Sequence, residues 1–305
     1  MIDCFRTDAK ALGISLRVIA LDTTPELSPA CKLADGAYRA PSCRHAEFVP
    51  FVEQLVAKES VALIVPTIDP ELEIFAGAAA RLAARGALVN VSSPEVIAVA
   101  RDKMRTATLF AKHGVRVPRT AHLTAALREP ERWRGELIVK PVDGSSSIGI
   151  RRAGSVLELS PMGDADRYIV QEAVAGPEYT VNMYCDRNGW LRCAVPHRRI
   201  AVRGGEVSKG RTERLAVLRE LADRVAATLA GCRGALCFQV ILDKSGIPAL
   251  LEINARFGGG FPLAHAAGAH FSRWLLEEVL GRRSTASDEW RDGLTMLRYD
   301  SSVFF

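Results

Sequence analysis

In the N-terminal third of the chain, short apolar runs alternate with longer amphipathic stretches. Residues 16–22 form a short β-branched run that ends in Asp22-Thr23-Thr24-Pro25. Residues 48–58 carry apolar side chains at helical spacing. Residues 62–65 are a compact apolar strand stopped by Pro66, and the Ala-rich stretch 72–85 reads as a helix. Residues 88–91 make a further strand, after which Ser93-Pro94-Glu95 supplies an N-cap with proline at the first helical position. Strands alternating with helices predict a parallel sheet covered on both faces, a doubly wound α/β lobe. Such a lobe usually opens on a buried strand and a Gly-rich turn. Here residues 8–12 read as a first helix instead, so the first strand is expected to be missing.

The pattern changes near Val117-Pro118. Strands at 137–140, 148–152, 168–172, 179–185 and 191–196 follow one another at antiparallel spacing. A helix over 213–229, a hairpin of 235–243 with 248–254, and a last helix near 271–280 complete the prediction. The boundary of the α/β lobe falls around residues 95–117.

The hairpin carries the densest chemistry. Glu252, Asn254 and Arg256 are two apart on one strand and share a face, while Leu251 and Ile253 are expected to point into a core. With a four-residue loop at 244–247, residue 239 pairs with 252, which brings Gln239 to the same patch. Two amides and a carboxylate suit Mg²⁺, and the guanidinium can hold a phosphate oxygen beside it. The competing reading is a solvated polar sheet face, which would favour Lys and Thr. A second motif is Lys140 at the end of an apolar strand, followed by a Gly/Ser loop over 144–149. Small residues let backbone N–H groups approach phosphates. The loop has the glycine spacing of a Walker A segment, but Ile150 and Arg151 stand where Lys and Ser/Thr belong; alone, it is equally a hairpin turn. A third stretch, 171–178, ends a strand in Glu172, crosses an apolar linker and reaches Glu178. It can offer backbone groups to adenine and a carboxylate to ribose, or be an ordinary loop.

Composition adds exclusions. The 305 residues are 48% apolar and 25% charged, with a net charge of +5, ordinary values for a globular chain. The 40 basic residues make no run of five, so nucleic acid is not implied. Seven cysteines without a CxxC pair read as reduced thiols, which points to the cytoplasm. No stretch of 18 apolar residues suggests a membrane span, and the first ten residues do not resemble a signal peptide.

Taken in order, these motifs resemble the ATP-grasp superfamily, and most of all a stand-alone counterpart of one ATP-grasp unit of the carbamoyl-phosphate synthetase large chain. The resemblance extends to Pro66-Thr67-Ile68-Asp69-Pro70-Glu71-Leu72, Asp102-Lys103, Val207-Ser208-Lys209-Gly210 and the run from Glu252 to Gly260. It implies an α/β pre-ATP-grasp lobe over 1–95, a linker helix and lid over 96–172, and a nucleotide- and metal-binding lobe over 173–305. It implies that Lys103 and Lys140 hold the ATP phosphates under a loop containing Gly144, Ser145, Ser146, Ser147 and Gly149. Glu172, Ala173 and Val174 would meet adenine, and Glu178 the ribose. Gln239, Glu252 and Asn254 would bind Mg²⁺ or Mn²⁺, with Arg256 near the transferred phosphoryl group and Lys209 near the nucleotide phosphates, both as catalytic residues. Thr67, Asp69 and Glu71, at the carboxyl end of a strand, read as substrate residues, with Gly258 and Gly259; Arg199 and Arg203 read equally as holding an acyl phosphate or carboxylate substrate or as a solvated edge.

The expected activity is an ADP-forming ligase that activates a carboxylate as an acyl phosphate for attack by an amine or similar nucleophile. A small-molecule kinase and a non-catalytic nucleotide-binding module are the rivals. A Rossmann dehydrogenase lacks its G-x-G-x-x-G. The resemblance also places the absent first strand inside the sheet, so an upstream extension or a homodimer is expected to fill it. His197, His265 and His270 have no metal-like spacing and read as structural or surface residues. Phe257 and Phe261 read as packing, and Cys237 as a core thiol.

Overall fold

The computed structural model describes residues 1–143, 149–159 and 164–305. The N-terminal lobe runs α1 (Ile2–Ala11), β1 (Ile19–Asp22), α2 (Pro29–Leu33), β2 (Gly36–Arg39), α3 (Phe48–Glu59), β3 (Leu63–Ile64), α4 (Asp69–Ala84) and β4 (Leu88–Val89). The strands pair in parallel, β1 with β2 and β3 with β4, as the strand–helix alternation predicts. Among the described residues the two pairs remain separate sheets. In α4, Leu72, Phe75, Ala78 and Leu82 recur every three or four positions and are buried. They pack on Phe48, Val52 and Val56 of α3 and on Val89 of β4.

Two helices lead out of this lobe, α5 (Pro94–Arg101) and α6 (Lys103–Lys112). Ser93 caps the first, its hydroxyl accepting from the Val96 N–H. Asp102 caps the second, its Oδ1 accepting from the N–H groups of Met104 and Arg105 at 2.8 and 2.9 Å. This cap fixes Lys103 at the first position of α6.

A four-stranded antiparallel sheet follows: β5 (Thr120–His122), then after α7 (Leu123–Arg128) the strands β6 (Arg134–Pro141), β7 (Arg151–Ser155) and β8 (Tyr168–Glu172), in the order β5-β8-β6-β7. Leu137 and Val139 alternate into a small core with Leu123, Ala126 and Trp133, which turns Glu136, Ile138 and Lys140 to the other face. The strand expected at 148–152 runs instead from Arg151 to Ser155.

The largest unit is a six-stranded antiparallel sheet of β9 (Glu178–Cys185), β10 (Leu191–Arg203), β11 (Glu206–Thr212), β12 (Gly234–Leu242), β13 (Pro248–Asn254) and β14 (Thr295–Leu297), with α8 (Ala216–Thr228), α9 (Phe261–Ala266) and α10 (Phe271–Val279). Its order is β13-β12-β9-β10-β11-β14. Alternation assigns the faces. Val181, Met183 and Cys185 of β9 and Leu236, Phe238, Val240 and Leu242 of β12 enter one core with Leu218, Leu221 and Val225 of α8. The intervening residues turn to the opposite face, where Tyr184 and Ala235 meet Phe257, Phe261, Phe271 and Trp274, with Phe5 and Ala9 of α1 against them. Phe257 and Phe261 are thus packing residues. All seven cysteines are free, and all but Cys43 are buried.

The hairpin register differs from expectation in an instructive way. Leu242 pairs with Pro248, so the loop is one residue longer than expected, and a bulge at Leu251 restores the pairing of Gln239 with Glu252. The bulge also corrects the expected direction of Leu251, which faces the cleft described below rather than the core.

Candidate active site

A cleft of about 560 Å³ opens between the four-stranded sheet and the six-stranded sheet. Lys103 from α6 and Lys140 from β6 enter from one side, each only 7% exposed. Gln239 of β12 and Glu252 and Asn254 of β13 face them, and Asn254 Nδ2 lies 3.4 Å from Glu252 Oε1. Burial depresses the pKa of Lys103 despite the nearby Glu252 and Asp143 carboxylates. Burial likewise pulls Lys140 down to about 8, against the raising effect of Glu252. Two desolvated lysines beside a carboxylate make a pocket that gains from a polyanion.

Arg256 lines the same cleft through a different anchor. Its Nε and Nη2 donate to Asp69 Oδ1 and Oδ2 at 3.1 Å each, a bidentate pair reaching across 187 residues to the start of α4. Nη1 donates to the Phe257 carbonyl at 3.0 Å. Burial opposes the charge on Arg256, and the Asp69 pair more than offsets it, so its pKa lies above the ordinary value. Asp69 was expected on the substrate; the structure places it behind Arg256 as its partner.

The 172–178 stretch forms one end of the cleft. Ala173 N–H donates to the Glu136 carbonyl at 2.9 Å. The Glu172 carboxylate turns back to accept from the Arg119 N–H at 3.1 Å, so the hinge offers backbone rather than that side chain. Gly176 has φ +157°, and a Cβ there would lie 1.8 Å from the Leu242 carbonyl oxygen; only glycine permits this approach. Glu178 lies beside Arg199, whose Nε is 2.9 Å away. Burial raises the Glu178 pKa, and Arg199 partly counters it. Arg199 also donates to Thr180 Oγ1 at 3.1 Å and to the Gly205 carbonyl at 2.8 Å.

The far wall is Gly258-Gly259-Gly260. A Cβ would come within 2.8 Å of Cys237 Sγ at Gly258, 1.9 Å of Glu206 Oε2 at Gly259 and 2.5 Å of His197 Nε2 at Gly260. Cys237 is buried behind this wall, and burial pushes its thiol up to about 12, which fits a core thiol.

Other expected residues fall elsewhere. Lys209 is exposed on β11 and does not line the cleft. On the same strand Glu206 reaches the cleft, and an extra residue at Ser208 interrupts the pairing of β11 with β10 between the two. Arg203 is exposed at the end of β10 and pairs with Asp300. The Thr67 N–H, in the loop before α4, donates at 3.3 Å to Oε2 of Glu71 in the first turn of α4, and burial raises the Glu71 pKa. Gly149, with φ +76°, lies against Pro141, while Gly144, Ser145, Ser146 and Ser147 lie outside the described residues. Sequence reasoning missed Thr180, Glu206, Glu136 and Arg152, all of which line the cleft. Thr180 and Glu136 carried a readable signal, since each alternates with core residues on a strand.

A family model described as an ATP-grasp domain matches residues 100–260, more than half of the chain, and spans the residues that line the cleft, Lys103 to Gly260. The chain belongs to the ATP-grasp family. A second model, described as a PylC-like N-terminal domain, matches residues 2–91 ahead of the ATP-grasp segment. The D-alanine–D-alanine ligase of Magnetococcus marinus is 28% identical over 180 residues, which are 52% of this chain and 58% of the relative. That of Ectopseudomonas mendocina is 41% identical over 93 residues, 28% of this chain and 29% of the relative. The chain therefore matches less than two thirds of either ligase. Among solved structures, the ATP-grasp fold here is similar to the biotin carboxylase domain of Hydrogenobacter thermophilus 2-oxoglutarate carboxylase, with a TM-score of 0.74, 18% identity, and coverage of 96% of this chain and 70% of that one. It is similar also to an L-amino acid ligase from Bacillus licheniformis, with a TM-score of 0.70, 20% identity, and coverage of 95% and 75%. At these identities the likeness is one of fold.

Proposed function

We propose that the chain is an ADP-forming ligase that phosphorylates a carboxylate with ATP and passes the acyl group to an amine. The observation that carries this reading is the meeting of two buried lysines from separate elements with the Gln239–Glu252–Asn254 trio in one cleft. The relatives named D-alanine–D-alanine ligase and the fold neighbour named L-amino acid ligase support amino acids as the substrate class.

The donors of the trio are two amide oxygens and a carboxylate, hard ligands that fit Mg²⁺ or Mn²⁺ and leave room for phosphate oxygens and water. When bound, such an ion neutralises charge on the phosphates. The chain's own residues supply the rest. Lys103 and Lys140 hold nonbridging phosphate oxygens. The 172–174 hinge receives adenine through its backbone, and Glu178 the ribose. Arg256, held rigid by Asp69, places fixed positive charge where the transferred phosphoryl group passes. A substrate carboxylate oxygen forms the new P–O bond as the bond to the leaving ADP breaks. The amine then forms the C–N bond, inorganic phosphate leaves, and the amine loses a proton. Glu206, on the glycine wall, suits an ammonium group of an amino-acid substrate.

The test is ADP release measured over pairs of amino acids, with product mass. ADP formation that needs both a carboxylate and an amine supports a ligase. A stable phosphorylated product without any amine identifies a kinase instead, and no nucleotide turnover over the whole panel opposes both.

A further inference from the structure

Outside the cleft, a second polar cluster forms where α1 meets the C-terminal helices. The Asp8 side chain is 2% exposed there. His265 Nε2 lies 3.1 Å from Asp8 Oδ2, and His270 Nδ1 lies 3.1 Å from Asp8 Oδ1. The two imidazole nitrogens are 3.4 Å apart. The three side chains offer one ligand atom each within 4.8 Å of one another. Their orientation is built in: Ser272 Oγ donates to Asp8 Oδ2, and the His265 ring stands edge-on to both Phe261 and His270.

The spacing decides what this cluster suits. Nitrogen and oxygen ligands about 2.0–2.1 Å from a tetrahedral ion stand about 3.3 Å from one another. His265 lies 3.1 Å from one Asp8 oxygen and His270 3.1 Å from the other, the two rings are 3.4 Å apart, and one ligand atom from each residue falls within 4.8 Å of the other two, close enough for small rotations to reach that edge length. Two ring nitrogens aimed at one carboxylate and at each other also need a cation or a proton between them, since two neutral acceptors would repel. Two imidazoles and a carboxylate favour zinc over magnesium, in contrast to the all-oxygen trio of the cleft.

We propose that Asp8, His265 and His270 form a site for a zinc-class divalent metal, with water as the fourth ligand on the open side of His270. The ion would tie α1 of the N-terminal lobe to α9 and α10. Because α9 follows directly on the Gly258–Gly260 wall, the tie also steadies that side of the cleft.

The purified full chain, stripped by chelation, is titrated with Zn²⁺ alone against a chromophoric chelator while its melting temperature is followed. The expected result is one saturable equivalent per chain and a rise in Tm that stops at one equivalent. Glu252→Gln, which changes the cleft, should keep both. His270 is 39% exposed at its side chain, so His270→Ala should fold; it is expected to weaken Zn²⁺ at least about tenfold and to abolish the Tm rise. Unchanged binding in His270→Ala, or no saturable binding by the wild type, means a hydrogen-bonded cluster only and overturns the proposal. Visible absorption with Co²⁺ gives an independent check: tetrahedral bands in the wild type that His270→Ala lacks support the site, and their absence from the wild type overturns it.

Discussion

At the level of single residues, the account rests on a few charges held out of water. Gln239, Glu252 and Asn254 were legible because strand alternation and cross-strand pairing are local rules. The Asp69–Arg256 pair was not, since its partners are 187 residues apart. The same holds for Asp8 and His265, 257 apart, which is why histidine spacing along the chain gave no sign of a cluster. Glu252→Gln should leave the fold intact and lower metal-dependent turnover about 10²-fold or more, read from ADP release across a Mg²⁺ titration. Asp69→Ala leaves a buried guanidinium unpaired, at a cost of about 3 kcal/mol in denaturant unfolding, and lowers turnover by releasing Arg256. Lys140 gives the pH dependence. With its free-enzyme pKa near 8, it loses its charge as pH rises through that value, so kcat/KM for ATP should fall between about pH 7 and about pH 9. In the same window the unfolded chain keeps the proton up to about pH 10.4, so this group makes folding stability rise with pH. Lys140→Arg should remove the drop in kcat/KM; an unchanged profile would detach Lys140 from the phosphates.

The elements explain which expectations survived. Long periodic segments such as α3 and α4 were readable within a residue or a turn, because burial of one face decides them. The hairpin register came out as expected at Gln239 and Glu252 only because a bulge offset a loop one residue longer; no local pattern marks that bulge. Lys209 was placed by motif resemblance; it is exposed outside the cleft, while Glu206 of the same strand lines it, and the extra residue between them at Ser208 has no mark in the sequence pattern. The hinge supplies the element-scale prediction. Gly176→Ala would drive a Cβ against the backbone carbonyl of Leu242, which cannot yield as a flexible side chain would. It should cost about 1–3 kcal/mol in unfolding and raise KM for ATP more than it lowers kcat. At Gly259→Ala the atoms nearest the new Cβ are the flexible carboxylate end of Glu206. It should spare stability and act on the amino-acid substrate, which separate KM measurements for ATP and for amino acid would distinguish.

Across the whole molecule, the cleft exists because two antiparallel sheets face each other and neither carries the full site. Lys140, Glu136 and Arg152 stand on the four-stranded sheet, and Glu178, Gln239 and Glu252 on the six-stranded one. The change from parallel to antiparallel patterning marked only the end of the α/β lobe in the sequence; the division between the two antiparallel sheets rested on the family resemblance, and the separation of the N-terminal strands into two pairs was not readable, because it depends on pairing rather than pattern. Bound MgADP should draw the sheets together, seen as slower amide hydrogen exchange in β6 and β8 and little change in α8; equal exchange with and without nucleotide would contradict a shared site. The central claim is that this cleft passes the terminal phosphoryl group of ATP to a carboxylate. Amino acids labelled with ¹⁸O in the carboxylate, turned over with ATP and analysed by the mass of the released phosphate, test it directly. The account predicts one ¹⁸O atom in inorganic phosphate for each amide bond formed, with ADP as the nucleotide product. Unlabelled phosphate alongside amide product, or cleavage to AMP and pyrophosphate, would contradict it.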